Sequence, residues 1–87
     1  LKGETDAELT NAFIKHLRGM NDKLSIPSAI RDYEGGMVGE AEFLAKLDHV
    51  SELAVGDACT GSNPRPINPK EMATLLKCCF YDTEVDF

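Results

Sequence analysis

The long helix that decides the fold class is encoded in residues 40–58, which read EAEFLAKLDHVSELAVGDA. Apolar residues recur there in steps of three and four, and this spacing places them on one side of an α-helix. Acidic residues cluster in the first turn, where the helix dipole favours negative charge. We therefore predict a helix that starts near Gly39 or Glu40 and continues to about Ala58. Its wide apolar face consists of Phe43, Leu44, Leu47, Val50, Leu53 and Ala54.

A second helix is predicted before it, from about residue 6 to residue 23. Thr5 and Glu8 have the spacing of a capping box, in which each side chain bonds to the backbone N–H of the other residue. Pro27 biases Ile26 away from helical angles and ends this segment. The steps of four and three predict one buried stripe, made of Leu9, Phe13, Leu17, Met20 and Leu24.

A third helix is predicted from Asn68 onward. Asn68 is a favourable N-cap residue, Pro69 suits the first helical position, and Glu71 stands at the third. The apolar stripe of this helix consists of Met72, Leu75, Leu76, Cys79 and Phe80.

The segments between the helices contain turn and loop residues. Residues 28–33 can form one short helical turn, and three glycines between positions 35 and 39 break the chain after it. Residues 59–68 form a loop that contains Gly61, Pro64 and Pro66. No segment alternates apolar and polar residues as a strand does. The predicted fold is all-α: a small helical bundle of three main helices plus a short helical turn, with an ordered Pro-rich loop before the last helix.

Composition excludes several classes of protein. A chain of 87 residues forms one small domain and is too short to include a nucleotide-binding sheet as well. Its net charge of −6 and its scattered basic residues disfavour nucleic acid as a partner. No apolar run approaches the roughly 20 residues that span a bilayer, so no membrane role is expected. Cys59, Cys78 and Cys79 lack regular spacing, and we interpret them as reduced thiols in a cytoplasmic protein.

No group of reactive side chains predicts a site made by this chain alone. His16 and His49 have no second histidine or cysteine at close helical spacing, so we interpret both as surface residues. Cys59 follows a helix end, where the negative end of the dipole opposes a thiolate nucleophile. Residues 35–39 lack the Lys-Ser/Thr pair of a phosphate-binding loop. We therefore predict no catalytic, cofactor-binding or metal-ligating residue.

The most distinctive segment is residues 57–65, which read DACTGSNPR. Thr60, Ser62 and Asn63 have short polar side chains that can satisfy loop backbone groups. Gly61 permits a positive φ angle. Arg65 can clamp carboxylates, or the free carbonyls at the end of the preceding helix. These residues predict an ordered loop, and its composition leaves open a structural brace or the wall of a binding site.

This loop resembles the C-terminal signature of the iron-containing (group III) alcohol dehydrogenases. Residues 24–33 are similar to the family's linker, residues 43–58 to the helix that follows it, and residues 71–76 and 81–87 to its last helix and ending. The resemblance covers about residues 9–87. The order and spacing of these blocks make it specific. Departures lie in the Gly-rich residues 34–39 and at Ser25, where the family often has Gly.

The resemblance implies a longer enzyme with an N-terminal dinucleotide-binding domain and a C-terminal all-helical domain, to which residues 1–87 would belong. Its members interconvert alcohols and aldehydes or ketones by hydride transfer to or from NAD(P), with iron(II) as Lewis acid. The iron ligands lie upstream of the matched segment, so the isolated chain should be inactive. By the same resemblance Cys59 lines the substrate pocket. Motif residues that only shape the loop are Thr60, Gly61, Asn63, Pro64 and Arg65.

Two parents and one different class of protein are compatible with the sequence. The parent is a stand-alone enzyme or the alcohol dehydrogenase half of a bifunctional aldehyde-alcohol dehydrogenase. The sequence opens at Leu1 with no initiator Met, so we expect a processed product or an excised fragment. The expected partner is the rest of the parent enzyme, and the surface that it would cover can support a homo-oligomer. The alternative is a small independent helical protein-binding module.

Overall fold

The computed structural model describes residues 1–87 as three α-helices connected by two short 3₁₀ segments. Helix α1 spans Asp6–Lys23, α2 spans Glu40–Gly56 and α3 spans Pro69–Tyr81. The 3₁₀ segments are Ile30–Gly35 and Thr60–Ser62. The chain contains no strand, which confirms the predicted all-α class. None of the helices is both long and apolar enough to cross a membrane.

The predicted capping box at Thr5 is present, and the predicted N-cap residue Asn68 forms a second one. The Thr5 hydroxyl accepts from the Glu8 N–H at 3.2 Å, and the Glu8 carboxylate accepts from the Thr5 N–H at 3.3 Å. At α3 the Asn68 side chain accepts from the Glu71 N–H at 2.8 Å, while Glu71 accepts from the Asn68 N–H at 3.3 Å. Each box satisfies two backbone donors that the helix itself leaves unpaired, which fixes where α1 and α3 begin.

Helix α2 begins where the sequence predicts and ends two residues earlier than Ala58. Gly39 precedes it without a side-chain cap, and the first turn is held from outside by the Tyr81 hydroxyl, which donates to Glu40 at 2.9 Å. This bond to a carboxylate is the main cause that raises the pKa of Tyr81. Asp57 has extended backbone angles, so the helix stops at Gly56.

The core lies between α2 and α3. Phe80 of α3 is 1% exposed and stacks on Phe43 of α2, with ring centroids 4.3 Å apart. Leu47 of α2 and Ala29 of the linker are also buried. Ser51, which the apolar pattern did not include, is buried as well, because its hydroxyl donates to the Leu47 carbonyl of its own helix at 2.7 Å. Its polar group is therefore satisfied without a partner from another element.

The predicted burial of α1 is wrong. No residue of α1 is buried, and the apolar stripe is 39–67% exposed, at Leu9, Phe13, Leu17, Met20 and Leu24. Neither α2 nor α3 covers this stripe, because those two helices pack on each other. A side-chain bond from α1 reaches the residue that follows α3: Arg18 Nη1 donates to the Asp82 carboxylate at 3.1 Å. Other members of the predicted apolar faces that are exposed are Leu44, Val50, Leu53 and Cys79.

Candidate functional site

The candidate site is the loop that joins α2 to α3, and its first half is fixed to the end of α2. The Thr60 hydroxyl donates to the Ala54 carbonyl at 2.6 Å, and the same carbonyl at the helix end also accepts from the Asp57 N–H at 3.3 Å. The Asp57 carboxylate accepts from the Cys59 N–H at 2.8 Å and forms a tight turn. The 3₁₀ segment Thr60–Ser62 follows directly. These bonds fix the backbone at Cys59.

The Cys59 side chain projects from this fixed backbone to the surface. Its thiol is free and exposed, and it has no hydrogen-bond partner within the chain. No base is bonded to it, so the arrangement offers contact surface to a bound molecule and no activated nucleophile. The pocket-lining role implied for Cys59 stays a prediction, because a pocket at this position needs an opposite wall.

Gly61 does not adopt the positive φ angle that a glycine permits. Positive-φ glycines occur at Gly35 and Gly36, in the linker before α2. A Cβ added to Gly61 would meet no atom within 4 Å. The turn therefore forms with ordinary backbone angles, and nothing within this chain requires glycine at this position.

The second half of the loop is organised by Arg65. Asn63 accepts from the Arg65 N–H at 3.4 Å and has extended backbone angles, as expected for the residue before Pro64. The Arg65 guanidinium donates to the Pro66 carbonyl at 3.1 Å and to the Glu71 carboxylate at 3.0 Å. Arg65 thus clamps a carboxylate, as one of the two predicted options required.

The other option, that Arg65 binds carbonyls at the end of the preceding helix, is not what the structure shows. Thr60 already occupies the Ala54 carbonyl at that end, and Arg65 instead bonds to the first turn of the following helix. Glu71 receives both this ion pair and the Asn68 N–H of the capping box. These two interactions hold the pKa of Glu71 below its ordinary value, with the Arg65 hydrogen bond as the largest cause.

Two apolar clefts lie away from this loop. A cleft of about 550 Å³ lies between α1, the linker and α3, where Ile26, Tyr33 and Cys78 contribute to its lining. A second cleft, of about 430 Å³, is bounded by Met37, Val38 and other apolar residues of the linker and the facing helices. Cys59 lines neither cleft. The two clefts lie between elements that are distant in sequence, so local spacing did not predict them.

Comparison with known proteins identifies the family. Over 87 residues the chain is 45% identical to the NADPH-dependent butanol dehydrogenase of Clostridium saccharobutylicum, and it covers 22% of that relative. It is 38% identical over 80 residues to the aldehyde-alcohol dehydrogenase of Clostridium acetobutylicum, which is 92% of this chain and 9% of the relative. By these matches the chain corresponds to a segment of an alcohol dehydrogenase. An alcohol dehydrogenase of Thermococcus barophilus is 36% identical over 69 residues, 79% of this chain and 17% of the relative.

The chain spans about a fifth of the length of the butanol dehydrogenase and about a tenth of the aldehyde-alcohol dehydrogenase. No family model and no solved structure matches it. As a segment of this family it does not fit a metal by itself, because no three His, Cys, Asp or Glu side chains come together as ligands. His16 lies on the exposed α1, and His49 lies on α2.

Proposed function

We propose that this chain is the C-terminal portion of the all-helical domain of a longer alcohol dehydrogenase, where it forms one wall of the substrate cleft. The whole enzyme would interconvert alcohols and aldehydes or ketones by hydride transfer to or from NAD(P). In this arrangement Cys59 faces the substrate, and the motif residues around it hold its position. A cytoplasmic location is consistent with three free thiols.

The observation that carries this proposal is the combination of a fixed backbone and an exposed side chain at Cys59. Bonds from Asp57 and Thr60 hold the loop at α2, and bonds from Arg65 hold it at α3. Binding residues are often placed on loops that a rigid scaffold positions, and this loop is held at both ends. The resemblance of residues 57–65 to the family signature, together with the alcohol dehydrogenase relatives, supports a role at the substrate.

The iron and the nucleotide belong to the remainder of the longer polypeptide in this proposal. No residue of this chain is assigned to either, because it forms no ligand cluster and no nucleotide-binding sheet. When bound, the metal would polarise the substrate oxygen as a Lewis acid. The chain's own contribution is therefore the shape of the cleft, which sets the alcohols that fit beside Cys59.

The partner of this chain is proposed to be the rest of the same polypeptide, packed against the apolar stripe of α1. The apolar residues of that stripe are exposed, and contiguous exposed apolar patches usually mark interfaces with another part of a protein. The same exposure is the one observation that favours the second candidate, an independent helical protein-binding module. Homo-oligomerisation through this stripe is expected when the remainder is absent.

Expression of the complete open reading frame tests the two candidates against each other. The longer polypeptide, loaded with iron, should oxidise short alcohols with NAD or NADP, whereas the 87-residue chain should not under the same conditions. Turnover by the short chain would contradict the assignment of metal and nucleotide to the remainder. A reading frame that encodes only this chain, with no dehydrogenase activity, would favour the binding module.

Substitution of Cys59 tests its place at the substrate. In the longer polypeptide Cys59→Trp should narrow the cleft, so that the rate ratio between short and long alcohols changes by roughly tenfold or more, in line with steric discrimination of about 1–3 kcal/mol. Cys79→Trp is the matched control, because Cys79 is also exposed but lies on α3. If both variants have the same kinetics across the alcohol series, the proposal that Cys59 lies in the substrate cleft is wrong.

A further inference from the structure

The segment after α3 returns along the helix to the candidate loop. Asp82 has left-handed backbone angles, and the Thr83 N–H donates to the Cys78 carbonyl at 3.0 Å, so the chain reverses immediately. A helix of 13 residues is about 20 Å long, and six extended residues reach about the same distance. The segment therefore has the length to bring Phe87 beside Arg65.

Phe87 makes a specific contact at that point. Its ring lies under the Arg65 guanidinium, with the central carbon 4.8 Å from the ring centroid. The edge of the same guanidinium donates to the Pro66 carbonyl and to Glu71. A planar guanidinium uses its edge for hydrogen bonds and its face for aromatic rings, and here both are engaged. Phe87 thus completes the fixation of Arg65.

The two ends of the loop are held by different means. At the α2 end the bonds are short and local, from Asp57 and Thr60. At the α3 end they depend on one side chain, Arg65, which is 53% exposed and needs neighbours to hold one conformation. The ring of Phe87 is the one neighbour that comes from the far side of α3 in sequence. The support of the loop at the α3 end therefore includes a contact from the segment that follows α3.

We propose that Phe87 is a positioning residue: by stacking on Arg65 it fixes the second half of the Cys59 loop and so sets the size preference of the cleft. The effect on substrates rests on the proposed function, but the effect on the loop does not. The segment after α3 and the loop then form one structural unit. A substitution at residue 87 should therefore loosen the backbone more than 20 residues away in sequence, at Asn63 and in the 3₁₀ segment before it.

Hydrogen exchange tests the loop without any activity. The N–H groups of Ser62 and Asn63, which donate to Cys59 and Thr60 carbonyls, are the reporters. In the 87-residue chain Phe87→Leu, which keeps an apolar side chain but removes the aromatic face, should speed their exchange roughly two- to fivefold, as expected for an exposed cation–π contact. Phe87→Tyr should restore the original rates. Phe13→Leu on α1 is the control and should leave them unchanged.

Kinetics of the longer polypeptide test the consequence for substrates. Phe87→Leu should change KM for long or branched alcohols severalfold while kcat for the shortest alcohol stays constant, and Phe87→Tyr should behave as the original. Unchanged exchange in Phe87→Leu overturns the proposal whatever the activity. Faster exchange with an unaltered alcohol preference overturns the part that concerns the cleft. A longer polypeptide without dehydrogenase activity refutes the proposed function, while the exchange rates still decide the role of Phe87.

Discussion

Helices α1 and α3 form by the same local interactions but differ in whether their apolar side is buried. Both begin in a complete capping box, and both carry an apolar stripe along one side. Yet α3 buries Phe80 against α2, whereas α1 buries nothing. The difference teaches that capping and periodicity determine where a helix forms, while burial depends on whether another element is present to cover the stripe.

The largest expected effect is a difference in stability between two substitutions, each of which removes one aromatic ring, from α3 or from α1. Phe80→Ala should lower the free energy of unfolding by about 3–5 kcal/mol, because Phe80 is fully buried and stacked on Phe43. Phe13→Ala, at a position 50% exposed on α1, should change it by about 0.5 kcal/mol or less. Urea denaturation followed by circular dichroism measures both. Similar losses would mean that α1 is packed in solution.

The two capping boxes give the next comparison. Asn68→Ala should cost about 1 kcal/mol of global stability, because α3 must form for the core to form. Thr5→Ala should loosen the first turn of α1 to a similar degree but leave the global unfolding midpoint in place, since nothing packs on that turn. Amide exchange at the helix starts, measured beside denaturant midpoints, distinguishes local from global loss. A midpoint shift in Thr5→Ala would contradict this separation.

Local features of the fold were predictable from sequence because their partners lie within a few residues. Thr5 and Asn68 bond to residues three positions away, so both helix starts were correctly placed. The exposure of Leu17 and its neighbours was not predictable, because periodicity shows which side is apolar and not what covers it. The burial of Ser51 was not predicted either, because serine counts as polar in the spacing of apolar residues. The sequence pattern does not show that its hydroxyl donates to the Leu47 carbonyl.

The order of the loop at residues 57–65 was predictable, but its bonds were predictable only in part. The composition of residues 57–65 indicated an ordered loop, and the structure supplies the bonds that order it. The backbone angles at Gly61 could not be predicted, since a glycine permits a positive φ without requiring one. The contact of Phe87 with Arg65 joins residues 22 positions apart, and no local spacing rule reports a contact of that kind.

The pH dependence of α3 sharpens the comparison at a smaller scale. Arg65 and the Asn68 N–H favour the carboxylate form of Glu71, so its pKa in the folded chain lies below the ordinary value of 4.5. The stabilisation of the folded chain by the Glu71 carboxylate is therefore complete above about pH 4.5. It is lost as the pH falls through the pKa that Glu71 has in the folded chain. A carboxyl-carbon NMR titration of Glu71 should show the lowered pKa, and Arg65→Gln should return it toward 4.5. An identical titration in both would mean that the ion pair is not formed.

The smallest effect on stability, and the most direct test of the open surface, is expected on α1. Leu17→Glu should change the free energy of unfolding by no more than about 0.5 kcal/mol, because Leu17 is 43% exposed. The same substitution should abolish self-association of the isolated chain, since a charge in the apolar stripe cannot be desolvated without a partner. Sedimentation velocity at increasing concentration measures this association.

Asn11→Glu is the matched control for that experiment, because it adds the same charge to α1 outside the apolar stripe. It should associate as the original chain does. If the original chain stays monomeric at high concentration, the stripe on α1 does not bind a copy of itself. If Leu17→Glu in the longer polypeptide then unfolds or splits the enzyme while Asn11→Glu does not, the stripe is covered by the remainder of the polypeptide. The contrast between α1 and α3 would then exist only in the short chain. In the longer polypeptide the stripe of α1 would be buried by the remainder, as Phe80 of α3 is buried by α2 in the short chain.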